Sequence, residues 1–441
     1  MNQSNIRAIR GAFFDFVDDP FLRPEMECLR YIADGLLVID DGLIESFGEY
    51  REVRANYPAV EVTHYPGKLI TPGLIDLHIH LPQTEMIAAY GEQLMEWLEK
   101  YTFPTERKFA NPDYARRIAA FFLDELLRNG TTTALVLTTI FAESVEVLFQ
   151  EAQKRQMRII GGQVLMSRNA PDYLLKDPAT AYAEVKQQIQ QWHGIGRSRY
   201  AITPRFAITS TPEELELAGQ LKAEFPDVYV HTHLSENRKE IEFTAELFPE
   251  CDDYLHVYEK FGLVGDRSIF AHCIHLEEGA FQRLAEAGST ITHCPTSNFF
   301  LGSGLFPLHK SHGAKIGLGT DVGAGTSFSQ FATMAAAYQT AQLQGQSLSA
   351  FKAFYLATLG GAQALSLASL LGNFAPGKEA DFVVLDWQAT PLMQLRNPEL
   401  PVETLEQLES GLFGLMILGD DRAVAQTYIA GRPALQRNEA M

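Results

Sequence analysis

LITPGLIDLHIHL, residues 69–81, is an apolar run with two histidines two residues apart near its C-terminal end. Successive side chains on an extended strand alternate between faces, so His78 and His80 share a face, and Asp76 shares it with them. Two imidazoles presented together suit one metal ion, although HxH also occurs as two ordinary polar side chains. The run is the first of eight with strand character. The others are TTTALVLT (131–138), RIIGGQVLM (158–166), RYAITPRFAI (199–208), VYVHTHL (228–234), SIFAHCIHL (268–276), STITHCPT (289–296) and KIGLGTDV (315–322). Amphipathic segments fill the gaps. PDYARRIAAFFLDELLRNG (112–130) ends on a glycine placed to cap a helix, and TPEELELAGQLKAEFP (211–226) opens on Thr-Pro and two glutamates. EEGAFQRLAEAG (277–288) repeats the pattern.

Strands alternating with helices predict βαβ units on a parallel sheet, and eight of them predict a closed (β/α)8 TIM barrel. An open doubly wound sheet competes, but it carries GxGxxG after its first strand, and this chain does not. The glycine-rich GLGTDVGAG (317–325) follows the eighth strand with the wrong spacing, and reads as a turn that lets backbone approach a ligand. Short strands also occupy both ends of the chain: NIRAIRGAFFDF and GLLVIDDGLIESFGEY before residue 68, ADFVVLD (380–386) and AVAQTYIAGRP (423–433) near the far end. Chain ends often lie together, so these predict a small composite β-sandwich. The expected organisation is an N-terminal sandwich segment over 1–68, the barrel over 69–373 and a C-terminal sandwich segment over 374–441.

Catalytic residues of such a barrel project from the C-terminal strand ends. Those ends carry His78 and His80, then His233 and Glu236, then His272, then Asp321. Imidazoles plus a carboxylate suit Zn²⁺, with Fe²⁺ as the runner-up. An open coordination position would lower the pKa of water to ~7. His64, His193, His256, His309 and His312 show no partner pattern and read as surface or packing residues. His231, His275 and His293 read as packing or, at most, as supports behind the site. Asp76 reads as a residue that orients a ligand or closes the barrel. Cys273 reads as a buried thiol.

The formal net charge of −19 over 441 residues repels phosphate backbones and anionic lipid, which argues against nucleic-acid and membrane partners. Cys28, Cys251, Cys273 and Cys294 show no CxxC spacing, and no apolar run reaches the ~18 residues of a membrane span. The first residues lack a secretory pattern, so a soluble cytoplasmic protein is expected. HExxH, GxSxG and phosphate-loop motifs are absent.

PGLIDLHIH (72–80), His233 with Glu236, His272, Asp321 and the tail GNFAPGKEADFVVLD (372–386) together resemble the metal-dependent amidohydrolase superfamily. HLPQTEMIAAYGEQLMEWLEKYTFPTE (80–106), Arg205-Phe206, HLSENRKEI (233–241) and HCPTSNFFLGSGLFP (293–307) are similar to its guanine deaminase family. That resemblance implies hydrolytic deamination of guanine to xanthine and ammonia. It implies one zinc per chain on His78, His80, His233 and Asp321, with Glu236 as proton shuttle and His272 holding the hydroxide or assisting the metal. A single metal is implied because Arg205, and not a bridging lysine, stands at the strand-four end. Asp321 would take the water's proton, and Glu236 would protonate ring N3 and then the departing ammonia. Gln83, Arg205 and Phe206 fall where the purine binds, with His233 and His272 beside it, and a homodimer is the implied assembly. Two other readings stay open: an aminohydrolase of 8-oxoguanine, a pterin or a triazine, and a metal-free assembly protein of the same fold.

Overall fold

The computed structural model describes residues 6–91, 93–311 and 313–434. The chain opens with β1 (Arg7–Phe16), β2 (Leu29–Asp40), β3 (Leu43–Glu49) and β4 (Val62–Pro72). The Asp-Asp-Gly signal makes the β2–β3 turn. Asp41 and Gly42 both take positive φ, 46° and 84°, the backbone that twists a hairpin correctly. The barrel strands follow as β5 (Leu74–His80), β6 (Thr131–Leu137), β7 (Arg158–Gly162), a short β8 (Val164–Leu165), β9 (Arg199–Pro204), β10 (Tyr229–Leu234), β11 (Ser268–His272), β12 (Thr290–His293) and β13 (Lys315–Leu318). The chain then returns through β14 (Phe382–Leu385), β15 (Val424–Ile429) and β16 (Arg432–Pro433).

Both chain ends meet in one seven-stranded mixed sheet, ordered β16-β15-β14-β4-β1-β2-β3. The run 69–81, read from sequence as one strand, is two. Leu69–Pro72 pairs antiparallel with β14, and the chain turns at Gly73 before β5 joins β6 in parallel. Only glycine fits there, because a Cβ would lie 2.1 Å from Thr132 Oγ1. One apolar pattern spans both strands, so periodicity hides the break.

The second sheet runs β13-β12-β11-β10-β9-β7-β6-β5, with β8 added beside β9. Its edges meet at the C-terminal rim, where Asp321 N–H donates to His78 C=O at 2.8 Å and His80 N–H to Val322 C=O at 3.0 Å. Asp76 tightens the seam, accepting from the N–H of His78 and of Thr320, each at 3.1 Å, and from Thr320 Oγ1 at 2.5 Å. Closure excludes the open doubly wound alternative. Inside, Ile75, Leu77, Leu135, Ile160 and Ile269 cluster with Ala362 and Leu365, which floor the barrel. The surrounding helices pack on the outer faces of the strands through residues such as Phe122, Leu148 and Phe281. Each such side chain taken from water contributes ~1.5–3 kcal/mol to holding the barrel together.

The helix Pro112–Arg128 starts under Asn111, which accepts from Asp113 and Tyr114 N–H at 2.9 and 3.2 Å, and stops before left-handed Gly130. Pro212–Glu224 starts under Thr211. Arg158 and Arg197, at the N-terminal side of the barrel, form ion pairs with Glu379 and Asp381 just before β14. These pairs clamp the end sheet to the barrel. Among the described residues no helix is long and apolar enough to cross a membrane. All four cysteines are free thiols.

Candidate active site

The strand ends converge as barrel geometry requires. His78 and His80 come from β5, whose register against β6 shifts between Asp76 and Ile79. The two histidines, two residues apart, turn their rings to one centre. His78 Nε2 and His80 Nε2 are 3.3 Å apart, and His233 Nε2, from β10, is 3.3 Å from His80 Nε2. Asp321 Oδ1, just past β13, lies 3.2 Å from both His78 and His80 Nε2. Ligand atoms of His78, His233, His272 and Asp321 all fall within 4.8 Å of one another.

The donor set fits a divalent metal. His78 Nδ1 is engaged with His231 Nε2 at 2.7 Å, and His233 Nδ1 donates to the Arg205 carbonyl, also at 2.7 Å. With these two outer nitrogens committed, the His78 and His233 Nε2 lone pairs face a common centre, the arrangement in which supporting bonds set ligand tautomers, while His80 Nδ1 is buried without a partner among the described residues. Burial holds His78 and His233 below the ordinary imidazole range and takes His80 down to about 3, so all three are neutral. Asp321 lies against these rings and its carboxyl is held well below its usual range, so it and not an imidazole carries the charge. Neutral imidazoles and an ionised carboxylate are what Zn²⁺ takes.

His272, at the end of β11, differs from the others. Its Nδ1 faces Asn298 Oδ1 at 2.9 Å, while its buried Nε2 has no hydrogen-bond partner and lies 3.5 Å from Glu236 Oε2 and 3.7 Å from Asp321 Oδ2. It is placed between the carboxylates and is the natural neighbour of a nucleophilic water. Glu236 is buried and accepts from Ser303 Oγ at 3.1 Å. Burial, then the charge of Asp321, push its carboxyl to about 8, so it carries a proton at neutral pH. A cation between these groups would draw that value down. His272, Asp321 and Ser235 all adopt left-handed φ, 72°, 52° and 51°. Such backbone costs non-glycine residues roughly 1–3 kcal/mol and collects at functional sites.

Beside the centre opens a cavity lined by His80, Gln83, Trp97, Leu98, Arg205, Phe206, His233, Glu236, Leu301 and Asp321. Its mostly apolar wall with a few polar groups suits a small planar ligand. Gln83, Arg205 and Phe206 therefore share the cavity with the candidate ligands. Gln83 Oε1 accepts from Gly323 N–H at 3.1 Å, which leaves its amide N–H₂ for the cavity. A Cβ on Gly323 would sit 2.6 Å from the Gln83 carbonyl oxygen. The glycine-rich turn thus admits the backbone of Gln83 at Gly323, while its Asp321 and Ala324 line the cavity.

His231 stands directly behind His78, and Asp76 at the seam. His275 Nε2 bonds the Ser303 carbonyl at 2.8 Å, and His293 packs on Phe306 with ring centroids 4.9 Å apart. His193 pairs with Asp227 at 3.1 Å, and His312 lies outside the described residues. Burial pushes the Cys273 thiol well up, which keeps it unreactive. Asn298, Ser303 and Glu106 are three residues of the site region that sequence reading did not single out. They sit in stretches that carry the family resemblance, but their roles come from contacts across loops.

Comparison with known proteins places this geometry. The amidohydrolase family model matches residues 69–434, the whole barrel and the returning strands. The chain belongs to the amidohydrolase family. Within it, this amidohydrolase is 51% identical to guanine deaminase of Escherichia coli K12 over 442 residues, covering 99% of each chain. The crystal structure of guanine deaminase from Bradyrhizobium japonicum matches with a TM-score of 0.96 at 42% identity, covering 98% of this chain and 99% of that one. Guanine deaminase from C. acetobutylicum, solved with guanine in its active site, matches at 0.88 and 30% identity over 97% of this chain and 100% of that one.

Proposed function

We propose that this amidohydrolase is a zinc-dependent guanine deaminase, hydrolysing guanine to xanthine and ammonia. The observation that carries the reading is a neutral His78–His80–His233 cluster with ionised Asp321, opening onto a cavity edged by Arg205, Gln83 and Phe206. One zinc per chain on those four residues would supply a nucleophilic water of pKa ~7. Fe²⁺ is the alternative ion for the same donors.

The chain's own groups divide the remaining work. Asp321, ionised beside the centre, accepts a proton from the attacking water. Glu236, carrying a proton, donates to ring N3 as C2 becomes tetrahedral; its carboxylate then takes the proton of the new C2 hydroxyl and passes it to the departing ammonia, and the proton held by Asp321 restores Glu236. Acid–base help of that kind contributes ~10²–10⁴-fold. His272 Nε2, unpaired and between the carboxylates, holds the water side of the reacting atoms. The Arg205 guanidinium faces two acceptors at once, as O6 and N7 of guanine provide. Gln83 offers its amide N–H₂ to a ring nitrogen, and Phe206 walls the cavity.

This reading puts the reaction in purine catabolism. Four free thiols fit the reducing cytoplasm, and family likeness supports a homodimer. The test is ammonia release by metal-replete protein from guanine, adenine, cytosine, 8-oxoguanine, a pterin and a triazine. Guanine should be turned over fastest. Release from a pterin or triazine with none from guanine would overturn the substrate assignment while keeping the aminohydrolase.

A further inference from the structure

Arg205 is a buried cation on the rim of the base cavity, and something must both neutralise it and fix its direction. Its Nη1 donates to Glu106 Oε1 at 2.6 Å, with the two side chains 3% and 0% exposed. Glu106 ends the short helix Phe103–Glu106, in the excursion between β5 and the helix Pro112–Arg128. The same helix supplies Phe103, whose ring centroid is 5.8 Å from the Arg205 Cζ. Glu106 Oε2 is buried and has no hydrogen-bond partner, so this carboxylate is committed to Arg205 alone among the described residues. Arg205 is in turn tied to the candidate metal ligands by its backbone, because its carbonyl accepts from His233 Nδ1.

A long flexible side chain in an apolar-walled cavity has many rotamers. An ion pair at one end of its guanidinium removes most of them and turns the remaining N–H groups toward a ligand. We infer that Glu106 is a positioning residue for base recognition, holding the Arg205 guanidinium in the plane that meets two adjacent ring acceptors. Glu106 does not line the cavity, so it acts through Arg205 and not on the base. The pair also cancels the cation's charge, so the site selects a neutral base by its acceptor geometry and not an anion by its charge. The inference rests on the guanine reading of the site and adds a residue to it.

The test is a double-mutant cycle with Glu106→Gln, Arg205→Ala and the combination, reading kcat and KM for guanine and adenine, melting temperature and metal content. Glu106→Gln keeps size and one acceptor but loses the charge. It should raise KM roughly tenfold or more, with kcat within about threefold, and narrow the preference for guanine over adenine. In the Arg205→Ala background the same change should alter kcat/KM less than about twofold, because its route to the base is gone. Arg205→Ala keeps the carbonyl on His233, so metal content should hold. Should Glu106→Gln not fold, Glu106→Asp, which keeps the charge but withdraws it by one methylene, should show the same rise in KM. A KM unchanged in either single variant overturns the inference, as does an equal loss in both backgrounds. Failure of the wild type to deaminate guanine overturns the substrate reading separately. The cycle is then run on the base amine that the protein does turn over, since Arg205 needs only an acceptor edge to meet.

Discussion

At His78 and His233 the outer ring nitrogen is already bonded, to His231 and to the Arg205 carbonyl, so each side chain has one direction left for its lone pair. Supports of this type typically set metal affinity or activity by 10–100-fold. His231→Phe should therefore lower zinc affinity by roughly that factor with the fold intact, measured by competition against a chelator; unchanged affinity would make His231 a packing residue. Glu236 tests the proton route. Glu236→Gln keeps shape and the Ser303 contact but carries no transferable proton, so kcat should fall roughly 10²-fold or more with metal content unchanged. Near-normal kcat would mean another group moves the proton. The main chemistry-bearing residues were legible because barrel strand ends are a known address, and His, Asp and Glu stand out there. Asn298 and Ser303 were not, because their meaning lies in contacts with His272 and Glu236, 26 and 67 residues away. An asparagine and a serine in a loop look the same in sequence whether or not they face such a partner.

The eight strands were legible as elements because each is a short apolar run bounded by a helical segment with end signals, such as Asn111 and Thr211. What failed was the inner detail of the first. Leu69 to Leu81 reads as one strand, but Gly73 divides it between two sheets and the register against β6 shifts after Asp76. Neither event disturbs an apolar pattern, since both sheets bury these residues. The pairing of Arg158 and Arg197 with Glu379 and Asp381 was also invisible, because it joins segments 182 to 221 residues apart. Asp381 is buried and answers Arg197, so Asp381→Asn leaves a largely buried cation with Glu379 as its remaining carboxylate. The loss is smaller than the ~3–5 kcal/mol of a buried charge left with no partner. The variant should melt several degrees earlier while keeping its metal and its kcat, checked by calorimetry beside an activity assay. An unchanged melting temperature would show that the clamp adds nothing to stability.

At the scale of the molecule, the barrel presents a ring of strand ends, and the end sheet joins the first and last strands of the described chain beneath one clamp. The barrel carries its own buried core, with Ile75, Leu77 and Ile269 inside and Phe122 and Phe281 outside. On the proposed reading a bound zinc would contribute to chemistry and not to folding, unlike a small zinc module that unfolds without its metal. That separation makes the central claim directly measurable. Purified protein is assayed for xanthine and ammonia from guanine as isolated, after exhaustive chelation, and after titration with zinc, with circular dichroism followed throughout. The account predicts equal amounts of xanthine and ammonia, loss of activity on chelation with the fold retained, and full recovery at close to one zinc per chain. Full activity after chelation, recovery only at two metals per chain, or no xanthine from guanine in the zinc-replete protein would contradict it.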